Sequence, residues 1–450
     1  MPSRKDEKPM IIDFTIKNFR SLKQEQLLSL SVENPKTHLL DNIAYPANDK
    51  VGTLKTAGLY GANASGKSNV LLAFAALQWL VVDSGDLKEG EKIVCYEPYA
   101  LSETTKSAPT SFEVEFACNG LRYVYAVSYN KQKILTESLD FYPSRQKANI
   151  FKREEKDSWE TISFGGLYKG GTKKIPFFEN NTYLSKAGNN AAASEMIRSI
   201  YNYFRSMTHL GSRQTIKMLN LYEHDSLVKI ISDLLCSVDT GVKKIAKREN
   251  KSLNFSPKEL ESFPEEIRRA FIEENKYSFV FAHEKEEGGV VLFKEERESD
   301  GTRKLFNLLP MLINGFLNGH IMILDELDNS FHPHIAELII KLFNDPLINT
   351  NNAQLIFSTH NINLMSPNLF RRDQIWFADK KNGATSIYSL DEFDKSDVKT
   401  SSPFGNWYDE GRFGALPHIN YAQITKIFSE VRKHNMKVDR APKKPIEGAL

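Results

Sequence analysis

Apolar and polar residues alternate through much of the first 150 residues, and this alternation predicts β-strands. The string IIDFTIKNFRSL alternates in this way, and LLSLSVE does so again. Two further alternating strings, SFEVEFACNG and LRYVYAVSYN, are separated by Asn119-Gly120. That dipeptide is typical of the two-residue turn of a β-hairpin. We therefore expect antiparallel strands in this part of the chain, continued by ILTESLDFYP.

The pattern changes to helical spacing from about Lys186. The strings AAASEMIRSIYNYF, IKMLNLYEHDSLVKIISDLLCSV and PKELESFPEEIRRAFIEENK carry apolar residues three and four positions apart. They predict a helical lobe over residues 186–276 that is inserted into the chain. Alternation returns in YSFVFAHEKEEGGVVLFKE, which predicts a hairpin around Gly288-Gly289.

Short apolar strands and helices then follow one another. TLKTAGLYG precedes an apolar helix, and after the lobe come HIMILDE, IAELIIKLFN, AQLIFSTH and QIWFADK. Such an order favours an α/β fold with a mostly parallel sheet. We expect one discontinuous domain, formed by residues 10–185 and 277–400, followed by a segment over residues 401–450 with a basic tail.

Composition changes this picture in two respects. The 450 residues are 41% hydrophobic and 11% aromatic, which is enough for a large core and argues against a disordered chain. Lys plus Arg number 59 and Asp plus Glu number 57, so the formal net charge is +2. A near-neutral chain gives no reason to expect a strongly basic coat for nucleic acid.

The cysteines and the apolar runs exclude other classes of protein. Cys95, Cys118 and Cys236 are far apart, which argues against a disulfide framework or a cysteine-based zinc site and favours a reducing compartment. The start, MPSRKDEKPM, lacks the apolar run of a signal peptide. The longest apolar stretch, residues 70–82, is too short to span a bilayer and predicts a buried helix. We expect a soluble protein in the cytoplasm.

The main chemical motif is a phosphate loop. The residues from Gly61 to Ser68, GANASGKS, match GxxxxGK followed by Ser or Thr. Small residues let consecutive backbone N–H groups face a phosphate, and the N-terminus of the next helix adds a partial positive charge. In this pattern Lys67 reaches the β- and γ-phosphates and Ser68 offers a hydroxyl to Mg²⁺.

An acidic pair ends the later strand HIMILDE. In an enzyme with a phosphate loop, Asp325 is placed to reach Mg²⁺, and Glu326 is placed to polarise water beside the γ-phosphate. The alternative is that both residues merely favour the start of a helix.

Several motifs together resemble a known family. ESDGTR at residues 298–303 precedes a helix, DELDNSFHP contains the acidic pair, FSTH ends the next strand, and IKNFRSL lies near the N-terminus. With the phosphate loop, these strings resemble the ATP-binding-cassette (ABC) ATPases of the RecF, SMC and Rad50 group. DELDNSFHP, FSTHN and NWYDEGRFGALP narrow the resemblance to OLD-like AAA-family ATPases of bacterial abortive-infection and phage-defence loci. The ESDGTR string lacks the usual double glycine of the signature motif.

The resemblance implies an ABC-type P-loop NTPase head, a mixed sheet with an antiparallel β subdomain, that dimerises around two ATP molecules. Glu326, Lys67 and His360 would be catalytic, with His360 at the γ-phosphate, and Ser68 and Asp325 would hold Mg²⁺. The residues assigned to ATP on the same protomer are Gly61, Ala62, Asn63, Ala64, Ser65, Gly66, Lys67, Ser68 and Asn69.

The resemblance also places residues of a second protomer at the same ATP. Ser299 and Gly301 would approach the γ-phosphate in trans, because a helix N-terminus with a hydroxyl and a bare amide suits an anion. The alternative for these two is an ordinary helix cap, and for His360 a strand-end histidine with local hydrogen bonds. Arg20 and Ser21 lie where the family contacts the base or the α-phosphate, although a simple turn is equally consistent. The family's metal-contacting glutamine is not identified.

The leading hypothesis for function is a sensor and switch in anti-phage defence. Only 90 residues follow His360 and they lack the pattern of a Toprim nuclease domain, so we expect the ATPase to control a separately encoded effector protein. A first alternative is a RecF- or SMC-like ATPase that binds DNA, for which the basic stretch 426–444 would be the evidence. A second is a scaffold that binds ATP with negligible turnover.

Overall fold

The protein is described by a computed structural model. The structure describes residues 9–36, 38–47, 51–211, 225–238, 240–249, 265, 277–329, 331–417 and 420–433. The strands, in chain order, are β1 (Met10–Lys17), β2 (Gln26–Ser29), β3 (Ile43–Ala44), β4 (Thr53–Leu54), β5 (Thr56–Tyr60), β6 (Thr110–Cys118), β7 (Leu121–Tyr129), β8 (Ile134–Tyr142), β9 (Ala148–Arg153), β10 (Ser163–Phe164), β11 (Thr208–Leu210), β12 (Val242–Glu249), β13 (Tyr277–Glu284), β14 (Val290–Lys294), β15 (Ile321–Leu324), β16 (Gln354–Ser358), β17 (Ile375–Lys381) and β18 (Ala384–Ser389).

The α-helices lie between these strands and after the last of them. Across the described ranges they are α1 (Lys67–Val82), α2 (Tyr183–Gly188), α3 (Glu195–Arg205), α4 (Asp225–Cys236), α5 (Asp300–Asn318), α6 (Pro333–Asn344), α7 (Phe404–Asp409) and α8 (Tyr421–Lys433). None of the helices in the part of the chain that the structure describes is long and apolar enough to cross a membrane.

An antiparallel sheet forms one layer, as the alternating strings predict. Its order is β10-β9-β8-β7-β6-β1-β2. The predicted hairpin is confirmed, since Cys118 pairs with Leu121 across the turn. Asn119 and Gly120 both have positive φ angles, 50° and 73°, as a two-residue hairpin turn with the twist of the strands requires.

A second sheet has the order β11-β15-β16-β5-β17-β18 and is parallel except for its last pair. Every residue of β5, β15 and β16 is buried, which explains why these strands are uniformly apolar. A parallel sheet needs cover on both faces. This α/β arrangement with a separate antiparallel sheet confirms the predicted fold class.

Helix α1 lies between the two sheets. Its Phe74 packs 4.3 Å, ring to ring, from Phe14 of the antiparallel sheet. The same core contains Ile323 and Ile356 of the parallel sheet. On the opposite face of that sheet, α5 and α6 cover a second core that includes Phe357. The phosphate loop is therefore held between a strand and a helix that are both buried.

The predicted helical lobe over residues 186–276 is helical only in part. Helices α3 and α4 lie where helical spacing was expected, but β12 is a strand that pairs with the hairpin of β13 and β14. A bulge between Val242 and Lys244 breaks the two-residue alternation in β12, and this hides the strand in the sequence. The helix expected over residues 257–276 lies outside the described residues except at 265. Helix α3 packs on α1 and places Ile200 and Phe204 in the first core. The domain limits stay a prediction.

A buried ion pair joins the antiparallel sheet to the N-terminus of α2. The side chains of Arg153 and Glu137 are 1% and 0% exposed, with nitrogen and oxygen 3.8 Å apart. Burial raises the pKa of Glu137, while the charge of Arg153 and the backbone N–H groups of Tyr183 and Leu184 oppose that rise. Arg153 also donates to the carbonyl of Asn181 at 2.6 Å. Each charge is thus compensated inside the protein.

Arg153→Met should lower the free energy of unfolding by about 3–5 kcal/mol, because Glu137 would remain buried without its cation. Urea denaturation, monitored by circular dichroism, measures this. Lys133→Met is the control, since its ion pair with Glu155 is 32% and 54% exposed and should contribute little. Equal losses in the two variants would contradict the importance of the buried pair.

Candidate functional site

The loop from Gly61 to Gly66 connects β5 to α1 and lies very close to strands β17 and β18. A Cβ atom on Gly61 would lie 2.4 Å from the carbonyl oxygen of Ala378. One on Gly66 would lie 2.2 Å from Oγ1 of Thr385. Both glycines also have positive φ angles, 147° and 110°. The sequence pattern therefore has a direct steric cause, since side chains at these positions would displace the loop.

Lys67 begins α1 and bends back over the loop. Its Nζ donates hydrogen bonds to the carbonyls of Gly61 at 2.8 Å and Ala62 at 3.0 Å. Burial lowers the pKa of Lys67 to about 8, and the charges of Asp325 and Glu326 oppose that decrease. The ammonium is thus held at the loop, where an incoming phosphate could replace the two carbonyls as its partner.

Ser68 and Asp325 form an oxygen pair beside the loop. Oγ of Ser68 donates to Oδ1 of Asp325 at 3.1 Å, and Oγ of Ser358 donates to the same oxygen at 2.5 Å. One carboxylate with a hydroxyl is the donor set on which Mg²⁺ is bound in nucleotide sites, where water and phosphate oxygens complete its shell. The two predicted metal residues are brought together and their chemistry fits this ion. Among the described residues no group of three or more His, Cys, Asp or Glu could hold a metal by itself.

Glu326 has a strained backbone that directs it out of the strand. Its φ angle is 54°, in the left-handed region that costs energy for a residue with a side chain. The N–H of Glu326 donates to Oγ of Ser358 at 2.8 Å, and its Oε2 accepts from Nδ2 of Asn329 at 3.2 Å. Ser358 thus orients both acidic residues. The string FSTH, which contains Ser358, was recognised in the sequence, but the role of Ser358 was not.

Lys67, Ser68, Asp325, Glu326 and His360 line one cavity of about 420 Å³. The remaining walls are the loop and the first turn of α1, through Asn63, Ala64, Ser65, Gly66 and Asn69, together with Lys380. The structure therefore brings the predicted catalytic and metal residues to one place; the phosphate loop contributes most of the other walls.

His360 closes one side of this cavity. Burial lowers its pKa, and the nearby charge of Lys67 lowers it further. The backbone N–H of His360 donates to Oδ1 of Asp328 at 3.4 Å, and the hydroxyl of Thr359 donates to the same atom at 2.5 Å. Asp328 therefore fixes the end of β16 relative to the acidic pair. The imidazole is neutral near pH 7 and can donate or accept a hydrogen bond.

Arg20 lies beside the first turn of α1. Its Nη1 is 3.5 Å from Oδ1 of Asn69, and its Nη2 forms an ion pair with Glu97 at 2.9 Å. Asn69 in turn donates to Oγ of Ser21 at 2.6 Å. Arg20 is thus near the loop but is not among the residues that line the cavity described above. Its assignment to a nucleotide stays a prediction.

Ser299 and Gly301 lie at the start of α5. Oγ of Ser299 accepts from the N–H of Thr302 at 3.1 Å, so Ser299 is the N-cap of the helix. Neither residue is in the described walls of the cavity of the same chain. Ser299 is therefore an ordinary helix cap, as the alternative interpretation predicts. A cap can also approach a phosphate, so the expected contact of Ser299 and Gly301 with a nucleotide on a second copy stays a prediction.

Two residues that the sequence did not single out complete the site. The hydroxyl of Thr385 on β18 lies 2.8 Å from Oγ of Ser21 and 2.7 Å from the carbonyl oxygen of Ser65. It therefore fixes the backbone of the phosphate loop at Ser65. Lys380 lines the cavity from the end of β17. No motif marks Thr385. Lys380 could have been found, because residues at the carboxyl ends of parallel strands tend to form sites.

The sequence matches one family over residues 57–366, which is more than half of the chain. The family is described as "AAA domain, putative AbiEii toxin, Type IV TA system". None of the curated proteins matches the sequence.

Several solved structures are similar at low sequence identity. The SMC head domain from Thermotoga maritima is 14% identical with a TM-score of 0.38, over 84% of this chain and 98% of that chain. The recombination mediator RecF with ATP is 11% identical with a TM-score of 0.34, over 86% and 100%. The Smc head domain with a coiled coil and joint from Pyrococcus yayanosii is 10% identical with a TM-score of 0.38, over 85% and 99%.

Proposed function

Because the chain belongs to this AAA domain family, we propose that it binds ATP with Mg²⁺ and hydrolyses it to ADP and phosphate. One observation carries the proposal: Lys67, Ser68, Asp325, Glu326 and His360 line a single cavity at the phosphate loop. A cation at the phosphates, a hydroxyl and a carboxylate for Mg²⁺, and a second carboxylate for the attacking water are recurring parts of enzymes that transfer a phosphoryl group to water.

Each side chain then has a distinct task. Lys67 leaves the carbonyls of Gly61 and Ala62 and binds the β- and γ-phosphates. Ser68 and Asp325 would hold Mg²⁺, which neutralises charge on the phosphates when it is bound. Residues 63–68 offer backbone N–H groups at the start of α1, where the helix dipole favours an anion.

Glu326 is the residue that we assign to the attacking water. Glu326 follows directly after Asp325, and its strained backbone directs it out of the strand. Nδ2 of Asn329 donates to one of its carboxylate oxygens. The other oxygen is left to accept a proton from water. His360, neutral because burial lowers its pKa, would contact the γ-phosphate without adding a second charge beside Lys67.

We further propose that two copies of the chain close around two ATP molecules. Ser299 and Gly301 would then meet the γ-phosphate bound by the partner. Their position at an exposed helix start, outside the cavity of their own chain, supports this arrangement. Lys304 on the same helix donates to the carbonyl of Asn329 at 2.8 Å, so α5 is tied to the loop that follows Glu326. Opening and closing of the dimer would act as a two-state switch.

The biological role that we propose is control of a separate effector protein in anti-phage defence. The family's description, "putative AbiEii toxin, Type IV TA system", supports the part of this proposal in which the chain acts together with a second protein. The described part of the basic tail also favours a protein partner over DNA. Helix α8 exposes Tyr421, Ile424, Ile427, Phe428 and Val431, and such an apolar face suits a protein surface better than a phosphate backbone.

Nucleotide-dependent dimerisation is the direct test of the proposed switch. The purified chain should be monomeric without nucleotide and dimeric with Mg²⁺ and a non-hydrolysable ATP analogue, as measured by light scattering after size-exclusion chromatography. ATP itself should give a dimer that reverts as phosphate is released. A chain that releases no phosphate and does not change its mass with either nucleotide would refute the proposal.

A further inference from the structure

We propose that the segment over residues 404–417 is part of the nucleotide site and that Tyr408 is a positioning residue for the phosphate loop. Tyr408 would act through the carbonyl group of Ala415, which holds the N–H of Ala62 at the beginning of the loop. The inference rests on the proposed function for its effect on ATP. The contacts themselves do not depend on that proposal.

The central contact joins the segment to the loop directly. The N–H of Ala62 donates to the carbonyl of Ala415 at 3.0 Å. Ala62 is the second residue of the phosphate loop, immediately after Gly61. This N–H precedes the amides at the start of α1 that face a phosphate, so its bond to Ala415 is compatible with a bound nucleotide. The contact can therefore shape the loop in the state that binds ATP.

Ala415 needs support to make this contact. Its φ angle is 56°, a left-handed conformation that is strained for alanine and persists only where the surroundings hold it. The hydroxyl of Tyr408 donates to the same carbonyl at 3.0 Å. Tyr408 is 6% exposed, and burial raises its pKa to about 12, so the hydroxyl keeps its proton and remains a donor.

The segment is anchored to the same sheet that carries the loop. The ring of Tyr408 stacks on Phe377 of β17 with centroids 5.5 Å apart and an interplanar angle of 14°. Phe413 also packs on Phe377, at 5.6 Å. The hydroxyl of Tyr388 on β18 donates to the carbonyl of Phe413 at 2.7 Å. Since β17 is paired with β5, the segment and the loop rest on neighbouring strands.

A second cavity, of about 620 Å³, separates the rest of the segment from the loop. Tyr408, Asp409 and Leu416 line it on one side, and residues 61–65 with His360 line it on the other. Asn63, Ala64, Ser65, His360 and Lys380 are also walls of the phosphate cavity. The bond between Ala62 and Ala415 spans the edge of this cavity and so links the position of the segment to that of the loop.

Two matched tyrosine variants test the inference. Tyr408→Phe removes the hydroxyl that holds Ala415 and keeps the stacked ring. Tyr388→Phe also removes a hydroxyl that donates to a carbonyl of the segment, but at Phe413 rather than at the contact with the loop. Hydrogen–deuterium exchange of the nucleotide-free chain, read at the amide of Ala62, should become about tenfold faster in Tyr408→Phe and stay near the wild-type rate in Tyr388→Phe.

Binding of a fluorescent ATP analogue and steady-state hydrolysis give the functional readout. Tyr408→Phe should weaken ATP binding and raise KM several-fold while kcat stays within about twofold, because the catalytic carboxylate is untouched. Unchanged exchange at Ala62 in Tyr408→Phe, or equally fast exchange in both variants, would contradict the proposal that Tyr408 supports Ala62 through Ala415. Faster exchange with wild-type ATP affinity would overturn the role in the site. If the wild-type chain binds no ATP, the proposed function and the role in the site both fail. The exchange result would still decide whether Tyr408 supports Ala62 through Ala415.

Discussion

Glu326→Gln is expected to bind ATP as tightly as the wild-type chain and to hydrolyse it about 10²–10⁴-fold more slowly, the usual contribution of a general base. Glutamine keeps the size of the side chain and can still pair with Asn329, but it cannot accept a proton from water. The ATP-bound dimer should consequently persist. Phosphate release and light scattering, measured on the same sample with Mg²⁺ and ATP, report both effects.

A matched control separates this effect from a general loss of charge. Glu337→Gln changes a carboxylate on α6 that is paired with Lys341 and lies outside the described walls of the phosphate cavity. Its turnover should equal that of the wild-type chain. Hydrolysis at the wild-type rate in Glu326→Gln would contradict the assignment of Glu326, and loss of ATP binding would show that the carboxylate acts in the ground state instead.

The parts of the site that lie close together in the sequence could be predicted from it. The loop with Lys67 and Ser68 is a continuous string whose glycines have a local steric cause, and Asp325 and Glu326 are adjacent at the end of an apolar strand. Parallel strands place such ends at one edge of a sheet. For that reason the meeting of these residues in one cavity followed from the order of strands and helices.

The supporting contacts could not be predicted, because they join distant parts of the chain. Thr385 reaches Ser65 across 320 positions. Ala415 reaches Ala62 across an even longer separation, and only the packing of the C-terminal segment on β17 brings them together. Strand β12 was missed for a different, local reason: a bulge between Val242 and Lys244 interrupts its alternation. Local patterns determine elements, whereas tertiary packing determines which backbone groups support the loop.

Lys67→Met is expected to weaken ATP binding by about 10²–10⁴-fold, since two charge-assisted hydrogen bonds to phosphate oxygens are lost at roughly 1.5–3 kcal/mol each. Methionine retains most of the length of the side chain without its charge. The carbonyls of Gly61 and Ala62 should find water, so the fold should remain stable. Titration with a fluorescent ATP analogue measures the affinity, and the midpoint of thermal unfolding tests the fold.

The pH dependence of ATP binding provides a test of Lys67 that does not require a loss of function. The pKa of Lys67 is lowered to about 8 by burial, so the ammonium form predominates below that pH and is lost above it. Only the charged form attracts phosphate, and the affinity of the wild-type chain should therefore fall about tenfold between pH 7 and pH 9. Lys67→Met should lack this slope, and Lys341→Met, on the surface of α6, should keep it. A wild-type affinity that is flat over this range would contradict this prediction: either Lys67 keeps its proton up to pH 9, or binding does not depend on its charge. Weak binding by Lys67→Met at pH 7 would identify the first case, and wild-type binding by that variant would identify the second.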